Sequence, residues 1–431
     1  MPDLPPAQVR MLGIVALALL FENYDQATIT AALKQIADTF ALAESETGWL
    51  LGFIHAGAIP ALFVIPLADR IGRRRLFLVS MLVLGLATFA SAFAQTITQF
   101  IALQMIGRTF MVTTAATAYV IVAEEFPAAH RGWGVGILGA LATMGYGLSL
   151  LLFATVDFLP YGWRALYIVG ITPIALLPMF RRELSETRRF EAERDEQKRL
   201  GTRTSGDSVL REAVFGWIGP VRQLLRDHFG RACAIGFIGA ASSAGHAAGF
   251  NFSAYFVQQS HGWVPWQYTA MAVIGGLVGI IGHPYVGRLA DRHGRRVVGF
   301  TVFASYPLLV FAFYHGPGWS LPLLWIPLIF ALTGGGTIQR ALAAELFPTA
   351  YRGTASGWLL MAEAAGRSAG FFVIAGVTPE GGSNVPMITF VSLLCLPAGA
   401  VVLLLPESSR RELEEIHVPL SRAESAPPAP D

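Results

Sequence analysis

The chain is 431 residues long, 54% hydrophobic and 14% charged, with a net charge of +2 at pH 7 and a mean hydropathy of +0.53. A soluble domain carries about 25% charged residues, so this composition excludes a water-soluble surface and predicts a membrane protein. The small net charge gives no ground for nucleic-acid binding. The two cysteines, Cys233 and Cys395, sit in apolar runs without metal-ligand or disulfide spacing, so no metal or cofactor is expected.

The N-terminal MPDLPPAQVR leads into an apolar stretch that is too long for a signal core and lacks a cleavage site, so no cleavable signal peptide is expected. A membrane helix needs about 20 mostly apolar residues. Candidate spans 1 to 6 fall near 11–36, 47–68, 75–94, 97–123, 132–156 and 164–180, and spans 7 to 12 near 232–257, 266–288, 297–314, 320–344, 354–376 and 385–405. Their length excludes the short alternating strands of a β-barrel. Between the two sets lies a polar stretch in which Ser208 to Phe229 has apolar residues at helical spacing, interrupted by Gly219 and Pro220. It reads as an amphipathic linker helix on the cytoplasmic interface. The tail from Val418 is expected to be disordered. The predicted organisation is an N-terminal six-helix half (1–180), a linker (181–230), a C-terminal six-helix half (231–405) and a tail (406–431).

Arginine sets the orientation. Arg70, Arg73, Arg74 and Arg75 lie between spans 2 and 3, and Arg131 between 4 and 5. Arg292, Arg295 and Arg296 lie between 8 and 9, Arg352 between 10 and 11, and Arg410 and Arg411 after 12. The alternate loops carry almost none, Arg164 being the main exception. Positive charge gathers on the cytoplasmic side, which predicts that both termini are cytoplasmic in a multi-pass inner-membrane protein.

The chain also repeats itself. LADRIGRRR (Leu67 to Arg75) recurs as LADRHGRRV (Leu289 to Val297), an offset of 222, and AEEFPAAHRG (Ala123 to Gly132) recurs as AELFPTAYRG (Ala344 to Gly353), an offset of 221. Two motifs in the same order at nearly one offset imply two halves of six spans each, in the same topology, related by an axis along the membrane normal.

The D-R-x-G-R-R loops after spans 2 and 8 resemble the signature of the major facilitator superfamily, over about residues 10–416. FENYD (Phe21 to Asp25) is similar to the span 1 start of metabolite:proton symporters, and GRTF (Gly107 to Phe110) to their span 4. ELSETRRF (Glu183 to Phe190) and PESSRRELEEI (Pro406 to Ile416) resemble sugar-porter-like ends. Ile65 stands where the first loop signature usually has glycine, and Val, Thr and Ala follow Arg108 where glycine is usual. The resemblance implies an all-α membrane protein of about twelve helices in two pseudo-symmetric halves, with spans 1, 4, 7 and 10 around a central cavity. It implies gating roles for Asp69, Arg70, Gly72, Arg73, Asp291, Arg292, Gly294 and Arg295, whose carboxylates latch the halves when the cytoplasmic side closes. Simple topogenic charge is the alternative.

A charge at bilayer depth costs about 2.5 kcal/mol or more, so such residues usually face a cavity and a partner. Glu22 and Asp25 in span 1 share about one helix face at i, i+3, and Arg108 lies near the middle of span 4. They form either a fixed ion pair that packs the N-terminal half or a substrate- and proton-binding group. The repeat offset carries Asp25 onto His246 in span 7. Histidine, with an ordinary pKa of about 6.5, suits proton relay, or it packs. His55 and His283 are weaker candidates. Glu363 and Arg367 in span 11 are spaced as an intrahelical i, i+4 pair. Arg340 lies near the cytoplasmic end of span 10, within reach of headgroups.

No G-x-S-x-G, H-E-x-x-H or Walker pattern occurs, so neither an enzyme nor an ATP-driven pump is expected. The tails are too short for a sensor's output domain. The reading is a monomeric secondary transporter of a small organic solute, with protons and the lipid bilayer as its other partners. Three arginines near the cavity favour a carboxylate carried by proton symport. Export by proton antiport on the same fold remains the alternative.

Overall fold

The computed structural model describes residues 5–187, 190–191, 216 and 218–407, and all regular structure among them is helical. Ten helical stretches are long and apolar enough to cross a membrane. They are span 2 (Glu44–Ile71), span 3 (Arg73–Ser91), span 4 (Ile97–Glu125), span 5 (Trp133–Phe153), span 6 (Trp163–Glu183), span 8 (Pro265–His293), span 9 (Arg295–His315), span 10 (Gly318–Glu345), span 11 (Arg352–Val377) and span 12 (Val385–Leu404). Span 1 (Pro6–Ala31) and span 7 (Phe229–Asn251), of 26 and 23 residues, are also long enough. Their apolar content is diluted by Glu22, Asn23, Asp25 and Gln26 in one, and by small residues and His246 in the other. The fold is therefore the all-α, twelve-span arrangement expected from the sequence.

Several boundaries differ from the sequence reading. Span 1 ends at Ala31, and after a break at Ala32 the chain resumes as a short helix, Leu33–Thr39. Span 2 is interrupted where Pro60 and Pro66 remove backbone donors, and a turn of 3-10 helix, Ile65–Leu67, fills the gap. Span 7 breaks at Phe252 and continues as Ser253–His261, which stops at left-handed Gly262, where Trp263 N–H reaches back to the Val257 carbonyl at 3.2 Å. In the linker a helix runs over Ile218–Asp227, with Pro220 in its first turn where a missing N–H does no harm. Ser208 to Glu212, Arg410, Arg411 and the tail from Val418 lie outside the described residues.

The described chain folds into two compact units that cut across the sequence halves. The first is drawn from Met1–Ile218, Phe250–Val273 and Phe371–Asn384, the second from Gly219–Gly249, Ile274–Gly370 and Val385–Asp431. In the first, Leu12, Leu19, Phe77, Ile121, Phe126 and Phe180 form a core among spans 1, 3, 4, 5 and 6. Spans 1 and 5 approach so closely that a Cβ on Gly145 would meet the Leu20 carbonyl. The second unit buries Phe303, Tyr306 and Trp325. It repeats the close approach between spans 7 and 11, where a Cβ on Gly366 would meet the Ala240 carbonyl. Large apolar side chains such as Leu151, Leu277, Ile281, Leu308 and Leu404 stand exposed along the spans, as lipid-facing positions do.

Within the first unit, residues from the two sequence halves meet at the end opposite the arginine loops, called here the outer end. Glu44 Oε1 accepts from Ser383 Oγ at 2.9 Å and from the Asn384 backbone N–H at 2.7 Å. Asn384 Nδ2 donates in return to the Glu44 carbonyl at 2.6 Å and to Thr47 Oγ1 at 3.1 Å. Thr30 donates to Asn251 at 3.0 Å and Gln35 to Gln258 at 2.6 Å. Arg164, the exceptional outer arginine, donates to the Ala94 carbonyl at 2.9 Å and covers the Trp163 ring at 4.5 Å.

Candidate functional site

The two signature loops form the same charged lattice twice. In the first unit Arg73, 6% exposed, bonds Asp69 at 3.0 Å and Glu124 at 3.3 Å, and its guanidinium lies over the Phe190 ring. Gly72 takes φ +101, and the Arg74 N–H that follows donates to Glu186 Oε1 at 3.0 Å. In the second unit Arg295 bonds Asp291 at 2.8 Å and Glu345 at 2.9 Å. Gly294 takes φ +95, and Arg295 N–H donates to Glu407 Oε1 at 2.8 Å. Arg74 and Arg296 each cap a helix end through a carbonyl, Arg181 and Leu403 respectively. Asp69, Asp291 and Arg292 are exposed and Arg70 is half-buried. The sequence reading named the aspartates and arginines. Glu124, Glu345, Glu186 and Glu407 lie in the repeated and terminal motifs, but no role was expected of them.

Deeper in the first unit, Glu22, Asp25 and Arg108 are all buried. Asp25 Oδ1 accepts from Thr88 Oγ1 of span 3 at 2.7 Å, and Glu22 Oε2 accepts from Asn23 Nδ2 at 2.8 Å. Arg108 acts electrostatically on both acids. Its Nη2 lies 2.7 Å from Nε2 of His55 on span 2, and its Nη1 is 3.5 Å from the Met111 sulfur. The two acids and the arginine are buried in the same unit, and the structure places Thr88 on Asp25 and His55 on Arg108. Spacing along one helix carries no information about a partner on another, so neither was legible as a partner.

The second unit holds the other candidates. His246 is 8% exposed, stacked on Phe303 (centroids 6.0 Å) and edge-on to Tyr306 (4.5 Å). Tyr306 donates its hydroxyl to the His246 carbonyl at 3.0 Å. His246 Nε2 has no hydrogen-bond partner among the described residues. Glu363 and Arg367 are half-buried on span 11, and the intrahelical pair expected from their spacing is not formed. They interact only through space, together with the exposed Arg340 of span 10. Two guanidiniums compete for one carboxylate, so i, i+4 spacing alone does not decide the pairing. Arg367 also acts electrostatically on His246, and Arg340 on His283. His283 Nδ1 itself bonds Thr337 at 2.9 Å. Chemically, this is a cluster with more fixed positive charge than negative and one buried, unused imidazole nitrogen.

The model of the Major Facilitator Superfamily matches residues 15–371. The chain belongs to this superfamily. It is a multi-pass secondary transporter. Among similar proteins, the cis,cis-muconate transport protein of Acinetobacter baylyi is 28% identical over 79% of this chain and 80% of its own length. The arabinose-proton symporter of Bacillus subtilis is 24% identical over 96% and 97%. The solved inward-open structure of the Escherichia coli xylose transporter XylE matches the fold with a TM-score of 0.70 at 19% identity, covering 95% of this chain and 99% of that one. The superfamily's two-half architecture accounts for the duplicated loop lattice and for the paired glycine contacts.

Proposed function

We propose that this transporter moves a small organic carboxylate by proton symport. The observation that carries the reading is the surplus of positive charge in the second unit, where Arg367 and Arg340 both act on the single carboxylate of Glu363 and His246 keeps a buried nitrogen unpartnered among the described residues. A guanidinium held at depth is well matched to a carboxylate, which it binds with two parallel hydrogen bonds. A relative named for muconate transport supports the carboxylate, and one named as an arabinose-proton symporter supports the proton coupling. Glu22 and Asp25 bind the proton, because desolvation and the nearby Arg108 guanidinium act on such carboxylates in opposite senses and opening a cavity changes both, and Arg108 is a further contact for the substrate carboxylate. The lattice around Asp69, Arg73, Asp291 and Arg295 serves gating. The protein works as a monomer in the inner membrane with both termini in the cytoplasm.

The test is uptake into proteoliposomes of labelled cis,cis-muconate, benzoate, xylose and neutral amino acids, with and without an inward proton gradient. Carboxylate uptake driven by the gradient is expected, and Arg367→Gln should remove it. Uptake of xylose alone, or carboxylate exit driven by the same gradient, would sink the proposal.

A further inference from the structure

His55 has no role in the reading above, yet its surroundings fix its chemistry. The ring is 3% exposed. Nδ1 lies 2.9 Å from the Leu51 carbonyl and Nε2 lies 2.7 Å from Arg108 Nη2. A carbonyl only accepts, so Nδ1 carries the proton. A guanidinium only donates, so Nε2 offers its lone pair. Both conditions hold together only for a neutral imidazole in the Nδ1–H tautomer. The ring is held in place as well: Phe371 packs on it at 5.0 Å between centroids, and Thr109 Oγ1 donates to the Gly57 carbonyl at 2.6 Å, tying span 4 to span 2 beside it.

The type of partner matters. A carboxylate on Arg108 both orients and neutralises it. An imidazole nitrogen satisfies one N–H and leaves the positive charge in place for an anion. We infer that His55 is a positioning residue which, as the neutral Nδ1–H tautomer, holds Arg108 oriented and still charged for the transported carboxylate. This rests on the carboxylate reading above. Glu22 and Asp25 on span 1 act on the same guanidinium, so His55 sets its direction while the acids set how much of its charge remains.

The test has one arm that needs no substrate. In purified protein carrying 15N-labelled histidine, the ring signal that disappears in His55→Gln should show a protonated Nδ1 and a bare Nε2, and Arg108→Met should shift it. A charged ring or an Nε2–H tautomer would overturn the inference. In the second arm, counterflow of cis,cis-muconate is measured. His55→Gln keeps an acceptor at the outer position and should leave KM within about threefold. His55→Leu should raise KM about tenfold, the loss of one hydrogen bond to a charged group, while the maximal rate stays within about twofold. An unchanged KM in His55→Leu, or an equal loss in His55→Gln, would also overturn it. If the wild type exchanges no carboxylate while the tautomer is as stated, the transport reading fails and the pairing stands.

Discussion

Replacing Glu44 with alanine tests the outer contacts directly. The side chain accepts two hydrogen bonds, from the Asn384 backbone N–H and from Ser383 Oγ, and Asn384 is 1% exposed. A buried amide that loses its acceptor costs about 1 kcal/mol or somewhat more, and the exposed serine adds only a few tenths, so the contact should weaken by about 1–2 kcal/mol. If these bonds exist only while the outer end is closed, the open population should rise about 5- to 30-fold. Glu44→Gln keeps the accepting oxygen and should change it by less than about threefold. The readout is the labelling rate of Ala375→Cys, a site 5% exposed beside Gly48, by an impermeant maleimide in right-side-out vesicles with Cys233 and Cys395 removed. At low open population this rate follows that population. An unchanged rate in Glu44→Ala would refute the idea that these bonds hold the outer end.

Three further outcomes are expected. Gly145→Ala should lower thermal stability by about 1–3 kcal/mol through overpacking against the Leu20 carbonyl, while Gly136→Ala, which has open space inside its helix, should not lower the melting temperature in a detergent thermal-shift assay. Asp69→Asn should slow turnover with equilibrium binding retained, since its carboxylate is exposed and pairs with Arg73; collapse of binding with normal cycling would contradict the gating role. Asp25→Asn should abolish uphill accumulation and spare counterflow, and concentrative uptake in that variant would show that Asp25 is not the coupling group.

The duplicated loops were the most legible part of the sequence because the repeat offset places Asp69 and Arg73 on Asp291 and Arg295 without any structure. An offset one residue shorter carries Glu124 to Glu345 and Glu186 to Glu407, but what these acids bond depends on how spans 4, 6, 10 and 12 return to the loop. The buried trio Glu22, Asp25 and Arg108 was legible because charge is rare at depth. His55 was undervalued because histidine in an apolar helix looks the same whether it packs or accepts from an arginine on another helix. The pairing of Glu363 with Arg367 was misread for the opposite reason: their spacing suits a pair, and Arg340 comes from elsewhere in the chain.

The outer contacts also bear on how the protein is made. Glu44 waits for partners 339 and 340 residues further along the chain, which at ordinary translation speed arrive roughly 20 to 70 seconds later. Until Phe371–Asn384 emerges, the first unit is incomplete, and Glu44 must remain solvated at the membrane surface. A chain severed in the linker before Gly219 would leave the second unit whole on the C-terminal fragment and divide the first unit between the two fragments. Recovery of the fold from such fragments would then depend on both being inserted in the same membrane at the same time.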